Sequence, residues 1–161
     1  MSVTDSSVNH HLRKIKASTK RKSALKNETS VRDFTFIIDE PVKVGGTDEA
    51  PTPMEYILGS FNGCVLIVIE LVAKEIDFKF KHLEAESVGL IDTRGLKGVD
   101  NINPQFQEVI NTIRFETTED ESRLEELKEI VKRRCPAYNL FKDSGMLISL
   151  DWTKAEAGDV K

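Results

Sequence analysis

The chain reads as an α+β fold in which strands flank one long apolar helix. Three features carry that reading. Between Met54 and Ile76 apolar side chains fall on every face of a helix, and a helix apolar all round must be buried on all sides. Period-two alternation with β-branched and aromatic residues marks strands near Val31–Ile38, Phe80–Ile91 and Phe106–Thr117. Leu124, Leu127, Ile130 and Val131 recur at helical spacing with charged residues outside, which predicts a second, amphipathic helix. The order β-β-buried helix-β-β-amphipathic helix-β places two helices on one face of an antiparallel sheet.

Each element has local justification. Leu12 to Lys26 gives a weak strand pattern, and the turn residues Lys26-Asn27-Glu28 predict a hairpin between it and Val31–Ile38. The second strand ends at Asp39-Glu40-Pro41, and Gly45-Gly46-Thr47-Asp48 loops into the long helix. Thr52-Pro53-Met54-Glu55 forms its start: Thr52 accepts from orphan amides, Pro53 sits where no N–H is needed, and Glu55 reaches back to close a capping box. Asp92 to Pro104 is rich in Gly, Asp and Asn and predicts a loop or a broken helical turn. A second capping box, Thr118-Glu119-Asp120-Glu121, opens the amphipathic helix. That helix stops at Arg134-Cys135-Pro136, because a proline drives its predecessor out of the helical region. Gly145 precedes a last strand, Met146 to Trp152. Gly59 and Gly63, four apart on one face, allow a second backbone to approach, so a homodimer with adjacent long helices is expected.

Composition narrows the function classes. The chain has 161 residues, 39% hydrophobic and 31% charged, as in a globular protein with a real core. We expect tails at 1–11 and 155–161 around a single domain at 12–154. The net charge of −4 is uneven: residues 1–32 hold eight Lys/Arg against two Asp/Glu, or +6, and the rest carries −10. No aromatic residue is interleaved with the early basic ones, so we expect a basic segment on an acidic domain and no nucleic-acid partner. Glu55, Ser60, Asn62, Glu70, Lys74 and Glu75 interrupt the apolar run, which argues against a membrane span. With no signal-peptide pattern at the start, the expected location is cytoplasmic, where a structural disulfide is not expected.

Cys64 and Cys135 are the two cysteines. A free cysteine usually behaves as a small buried hydrophobe. Two details favour chemistry. Cys64 follows Asn62-Gly63, an odd choice within a packing run, and Cys135 sits at a helix end beside Pro136 with Arg133 and Arg134 adjacent, where cations lower a thiol pKa. There is no CxxC, and His10, His11 and His82 have no ligand spacing with either cysteine, so neither a metal nor another cofactor is expected. A Cys-His catalytic pair fails on the same spacing.

The run Asp39-Glu40-Pro41, Gly45-Gly46 and Pro51-Thr52-Pro53-Met54-Glu55-Tyr56-Ile57-Leu58-Gly59-Ser60-Phe61-Asn62-Gly63-Cys64 resembles the core signature of the OsmC/Ohr family (osmotically inducible protein C and organic hydroperoxide resistance proteins). Arg134-Cys135-Pro136 resembles its second signature, and the likeness spans about Val31 to Trp152. It implies an intertwined α+β homodimer with sites at the interface. It further implies a thiol peroxidase in which Cys64 attacks an organic hydroperoxide, Cys135 resolves the sulfenic acid to a disulfide, and a dithiol or lipoyl-type reductant recycles the pair. The family's activating arginine comes from the N-terminal strands, where Arg21 is the nearest match and Arg32 the runner-up. Met54 holds the place of the family's glutamate, with Glu55 one residue later. The alternative is therefore a stress-related binding protein on the same dimeric scaffold with little or no peroxidase activity.

Overall fold

The computed structural model describes residues 11–155. The tails expected at 1–11 and 155–161 lie, apart from His11 and Ala155, outside the described residues. Two compact units divide the chain after Tyr56. The boundary falls within one continuous helix.

The first unit is an antiparallel meander of β1 (Ser18–Ser23), β2 (Lys26–Val31) and β3 (Phe34–Ile38), in that order. It differs from the expected hairpin in both turns. Lys26, Asn27 and Glu28 lie inside β2, and the first turn is Ala24-Leu25, where Ala24 takes positive φ and the Asn27 side-chain Nδ2 donates to the Leu25 carbonyl at 3.1 Å. The Val31–Ile38 run is also two strands, not one: Arg32 enters the left-handed region (φ 53°) and Val31 pairs with Phe34 across a two-residue loop. After β3 the chain passes a short 3-10 turn (Val42–Val44) within a loop organised by one buried carboxylate. Asp39 is fully enclosed and accepts from the amides of Glu40 (2.8 Å), Thr47 (3.2 Å) and Glu49 (3.2 Å) and from the Thr47 hydroxyl (2.5 Å). These donors hold its pKa far below the usual carboxylate range, the Thr47 hydroxyl contributing most.

The long helix α1 spans Pro53–Glu75. Its start follows the capping box: the Glu55 amide donates to Thr52 Oγ1 (3.3 Å), and the Thr52 amide donates to the Glu55 carboxylate (2.7 Å). Tyr56, at the end of the first unit, donates its hydroxyl to the Ile37 carbonyl (2.7 Å) and packs its ring 5.1 Å from Phe36.

The second unit holds the rest of α1 and a sheet of β4 (His82–Ile91), β5 (Phe106–Glu116) and β6 (Leu147–Lys154), with the short helix α2 (Thr93–Leu96) between β4 and β5. β4 and β5 are antiparallel, but β5 and β6 are parallel, so the expected wholly antiparallel sheet is corrected to a mixed one. The reason lies in the connection. Helices α3 (Glu121–Arg134) and α4 (Pro136–Asp143) separate β5 from β6 and carry the chain back to the starting end of the sheet, as a parallel pair requires. The buried side of the sheet presents Val109, Asn111, Ile113 and Phe115 of β5 beside Leu150 of β6. α3 begins at Asp120, whose side chain accepts from the Arg123 amide (2.9 Å), so Asp120 and not Thr118 is its cap.

α1 buries one face only. Phe61, Val65, Ile69 and Val72 are fully enclosed, whereas Ile57, Ile67 and Leu71 are 44%, 63% and 54% exposed in the single chain. Burial on all sides is thus met along one stripe. By length and composition α1 is apolar enough to cross a membrane, yet its enclosed stripe is that of a core helix. A polar triad built on the buried Asn111 ties the helix to the sheet. Ser87 Oγ donates to Asn62 Oδ1 at 2.6 Å, and Asn111 Nδ2 reaches Asn62 Oδ1 (3.0 Å) and Ser87 Oγ (2.9 Å).

Candidate active site

Cys64 lies three turns into α1, on the border between the enclosed stripe and the exposed one. Phe61 and Val65 are buried to one side, Ile57, Ile67 and Leu71 are open on the other, and Cys64 itself is half-buried. Added Cβ atoms at Gly59 and Gly63 would meet nothing, so this part of the helix surface is open along its backbone.

Cys135 is placed by the proline that follows it. Pro136 stops α3 and opens α4 at the position where a missing N–H costs nothing. The intervening cysteine therefore caps both helices. Its amide completes α3 by donating to the Val131 carbonyl (2.8 Å), and its sulfur caps α4 by accepting from the Tyr138 amide (3.4 Å). Helix α4 had no counterpart in the sequence-based expectations. Its packing is aromatic: Phe141 lies edge-on to Phe61 at 4.8 Å and 6.1 Å from Phe106.

These two placements bring the sulfurs of Cys64 and Cys135, 71 residues apart in sequence, to 3.6 Å. The Cys135 thiol donates toward Cys64 Sγ, and both cysteines are free. A disulfide bond is about 2.05 Å long, so closure requires an approach of about 1.5 Å. The environment of Cys135 differs from the expected one. It is fully enclosed, and burial pushes its thiol up to about 11, with the hydrogen bond to Cys64 adding to the shift and the Tyr138 amide opposing it. The neighbouring cation does not reverse this, because the Arg134 guanidinium is engaged by the Glu75 carboxylate (Nη2 to Oε1 2.9 Å). Cys135 is thus held as a protonated thiol at neutral pH, and the half-buried Cys64 is the more exposed of the two.

The two arginines named from sequence belong to the other compact unit. Arg21 is exposed on β1, its Nε donating to the Ala24 carbonyl at 3.2 Å. Arg32 occupies the β2–β3 turn with its guanidinium 5.1 Å from the centre of the Phe34 ring. Glu55, one place after Met54, spends its carboxylate on the helix start.

Asn139 belongs to no motif in the sequence, yet it holds the corner at Cys135. Its Nδ2 donates to the carbonyls of Lys132 (3.0 Å) and Cys135 (2.8 Å), and its Oδ1 accepts from Lys142 Nζ (2.9 Å). The signal was present: four residues after Lys132 stands a proline with no N–H to offer, so another donor was required.

In fold the chain is similar to an OsmC-like protein from Mycoplasma pneumoniae (TM-score 0.75, 16% identity, 89% of this chain and 97% of that one). It is similar also to an organic hydroperoxide resistance protein from Elizabethkingia anophelis (TM-score 0.72, 16% identity, 91% and 100%). A third similar structure is an organic hydroperoxide resistance protein OsmC from Legionella pneumophila (TM-score 0.70, 14% identity, 88% and 98%). At these identities the likeness concerns the fold. No curated protein matches the sequence significantly. The family model described as OsmC-like protein matches residues 46–150, a span that runs from Gly46 through both cysteines to Leu150, and the chain belongs to that family.

Proposed function

We propose that the protein is a cysteine-based organic hydroperoxide reductase. The observation that carries this reading is the 3.6 Å sulfur pair, in which one thiol is half-buried and the other is enclosed and protonated. The Cys64 thiolate attacks the peroxide O–O bond, the alcohol leaves with a proton, and Cys64 becomes a sulfenic acid. Cys135 then attacks that sulfur and its proton leaves with the displaced hydroxide as water, giving an intramolecular disulfide. A dithiol or lipoyl-type reductant restores both thiols. Arg21 is the proposed activating cation, with Arg32 the alternative. The apolar side chains flanking Cys64 favour an alkyl hydroperoxide over hydrogen peroxide, since each buried CH2 gains about 0.8 kcal/mol. The exposed stripe of Ile57, Ile67 and Leu71 beside Gly59 and Gly63 supports a homodimer through α1. The proposed setting is the cytoplasm, where a reductant for the pair is at hand.

A second reading, a stress-related binding protein with little peroxidase activity, is favoured by one observation. Met54 replaces the family's glutamate, and the Glu55 carboxylate is committed to capping Thr52. Turnover decides between them. With a dithiol donor, wild type is expected to consume cumene hydroperoxide and Cys64→Ser to lose that activity. Equal, slow consumption by both proteins establishes the binding reading instead.

A further inference from the structure

The corner between α3 and α4 has a donor deficit built into its sequence. In an α-helix each carbonyl is taken by the amide four residues on. For Lys132 that residue is Pro136, which has no N–H. For Arg134 it is Tyr138, whose amide is turned to the Cys135 sulfur instead. Asn139 supplies the donor that Lys132 lacks. Its backbone amide donates to the Cys135 carbonyl (3.1 Å), and its side-chain amide donates to that same carbonyl (2.8 Å) and to the carbonyl of Lys132 (3.0 Å), with a longer contact to the Arg133 carbonyl (3.5 Å). One side chain thus spans the break, tying the last turn of α3 to the residue that begins α4. Lys142 holds the far end of the amide through Oδ1 (2.9 Å), which fixes which way the Nδ2 group faces.

We propose that Asn139 is a positioning residue for the resolving thiol. The proposal rests on the reading of Cys64 and Cys135 as a redox couple. By bonding the carbonyl of Cys135 itself, Asn139 sets the backbone from which the sulfur projects, and the sulfur has only about 1.5 Å to travel to make its bond. Geometry of this kind governs the second step alone. Attack of Cys64 on the peroxide makes no use of Asn139, whereas attack of Cys135 on the Cys64 sulfenic acid depends on the corner being held. Loosening it lengthens the life of the sulfenic acid and gives a second peroxide time to carry Cys64 to the irreversible sulfinic acid.

The test separates the two steps in Asn139→Asp, which keeps the shape and removes both donors, and in Asn139→Ser, a milder change that retains one donor. Intact-protein mass spectrometry follows sulfenic acid, disulfide and sulfinic acid after mixing with cumene hydroperoxide. The expected result is unchanged formation of sulfenic acid, disulfide closure slowed about tenfold in Asn139→Asp and less in Asn139→Ser, and a larger sulfinic fraction. Ile113→Ala, a core truncation in β5, serves as the destabilised control and is expected to close its disulfide at the wild-type rate. Closure at the wild-type rate in folded Asn139→Asp, or equal slowing in Ile113→Ala, overturns the proposal. A separate arm closes the pair with diamide, which takes up two electrons and two protons as the thiols become the disulfide. If peroxide yields no disulfide in wild type, the peroxidase reading fails, and the diamide rates still decide the role of Asn139.

Discussion

The protonation of Cys135 has a consequence that is measurable without any substrate. A thiol pushed up to about 11 is thiolate for only about one molecule in a thousand at pH 8, because each pKa unit is a factor of ten. In the unfolded chain an ordinary cysteine near 8.5 is about one-quarter thiolate at that pH. Ionisation alone then slows alkylation of Cys135 about 250-fold relative to the unfolded protein, and enclosure of the sulfur adds to this. The assay is a time course with iodoacetamide on the fully reduced protein, with and without urea, each cysteine being read by peptide mass spectrometry. Cys64, being half-buried, is expected to label first. Folded Cys135 labelling within tenfold of its unfolded rate at pH 8 would refute the reasoning. The same shift makes stability depend on pH with a definite sign. The folded state retains a proton that the unfolded chain releases between about pH 8.5 and pH 11. Stability is therefore greatest below that window and falls as pH rises through it. Replacing Cys135 by Ala is expected to flatten that fall in thermal melts.

Two further predictions concern the scaffold. A Cβ at Gly46 would stand 1.7 Å from the Glu40 carbonyl oxygen and 2.4 Å from its carbon, and neither backbone atom can rotate away. Gly46→Ala is expected to cost at least about 1–3 kcal/mol by urea denaturation, as the loop opens away from Asp39; a loss below about 0.5 kcal/mol contradicts the packing described. Phe61→Ala removes a fully enclosed ring from α1 and the edge contact with Phe141, for about 3–5 kcal/mol by the same assay. Hydrogen exchange is expected to quicken in α4, and unchanged exchange there argues that Phe61 does not hold that helix.

Much of the fold was legible because its signals are local. The capping box at Thr52 and Glu55, the strand from Phe106 and the amphipathic period from Leu124 to Val131 each reside in a few consecutive residues. Non-local features escaped. A left-handed Arg32 does not advertise a turn, since arginine rarely adopts positive φ, so β2 and β3 read as one strand. The parallel pairing of β5 with β6 is decided by where two helices deliver the chain, a property no single segment carries. The all-round apolar character of α1 is a statement about what must be covered, and one chain covers only the stripe of Phe61, Val65, Val68, Ile69, Val72 and Ala73.

The site shows the same division at closer range. Residue type and motif named Cys64 and Cys135, but no spacing rule relates residues 71 apart, and the basic neighbours of Cys135 suggested a thiol activated by cations. Two effects compete at that sulfur. Arg134 is adjacent in sequence yet spends its charge on Glu75, while burial acts on the thiol directly, so desolvation wins and the proton stays on. The proline accounts for the rest. It ends α3, begins α4 and leaves Lys132 without a donor, and each of these consequences presses on the one residue between the helices. A cysteine there must turn its amide back to Val131 and its sulfur forward to the Tyr138 amide, and a sulfur so directed faces Cys64. The approach of the two sulfurs is thus a by-product of how two helices share one capping residue, which is why a Cys-Pro dipeptide carries structural information that neither residue carries alone.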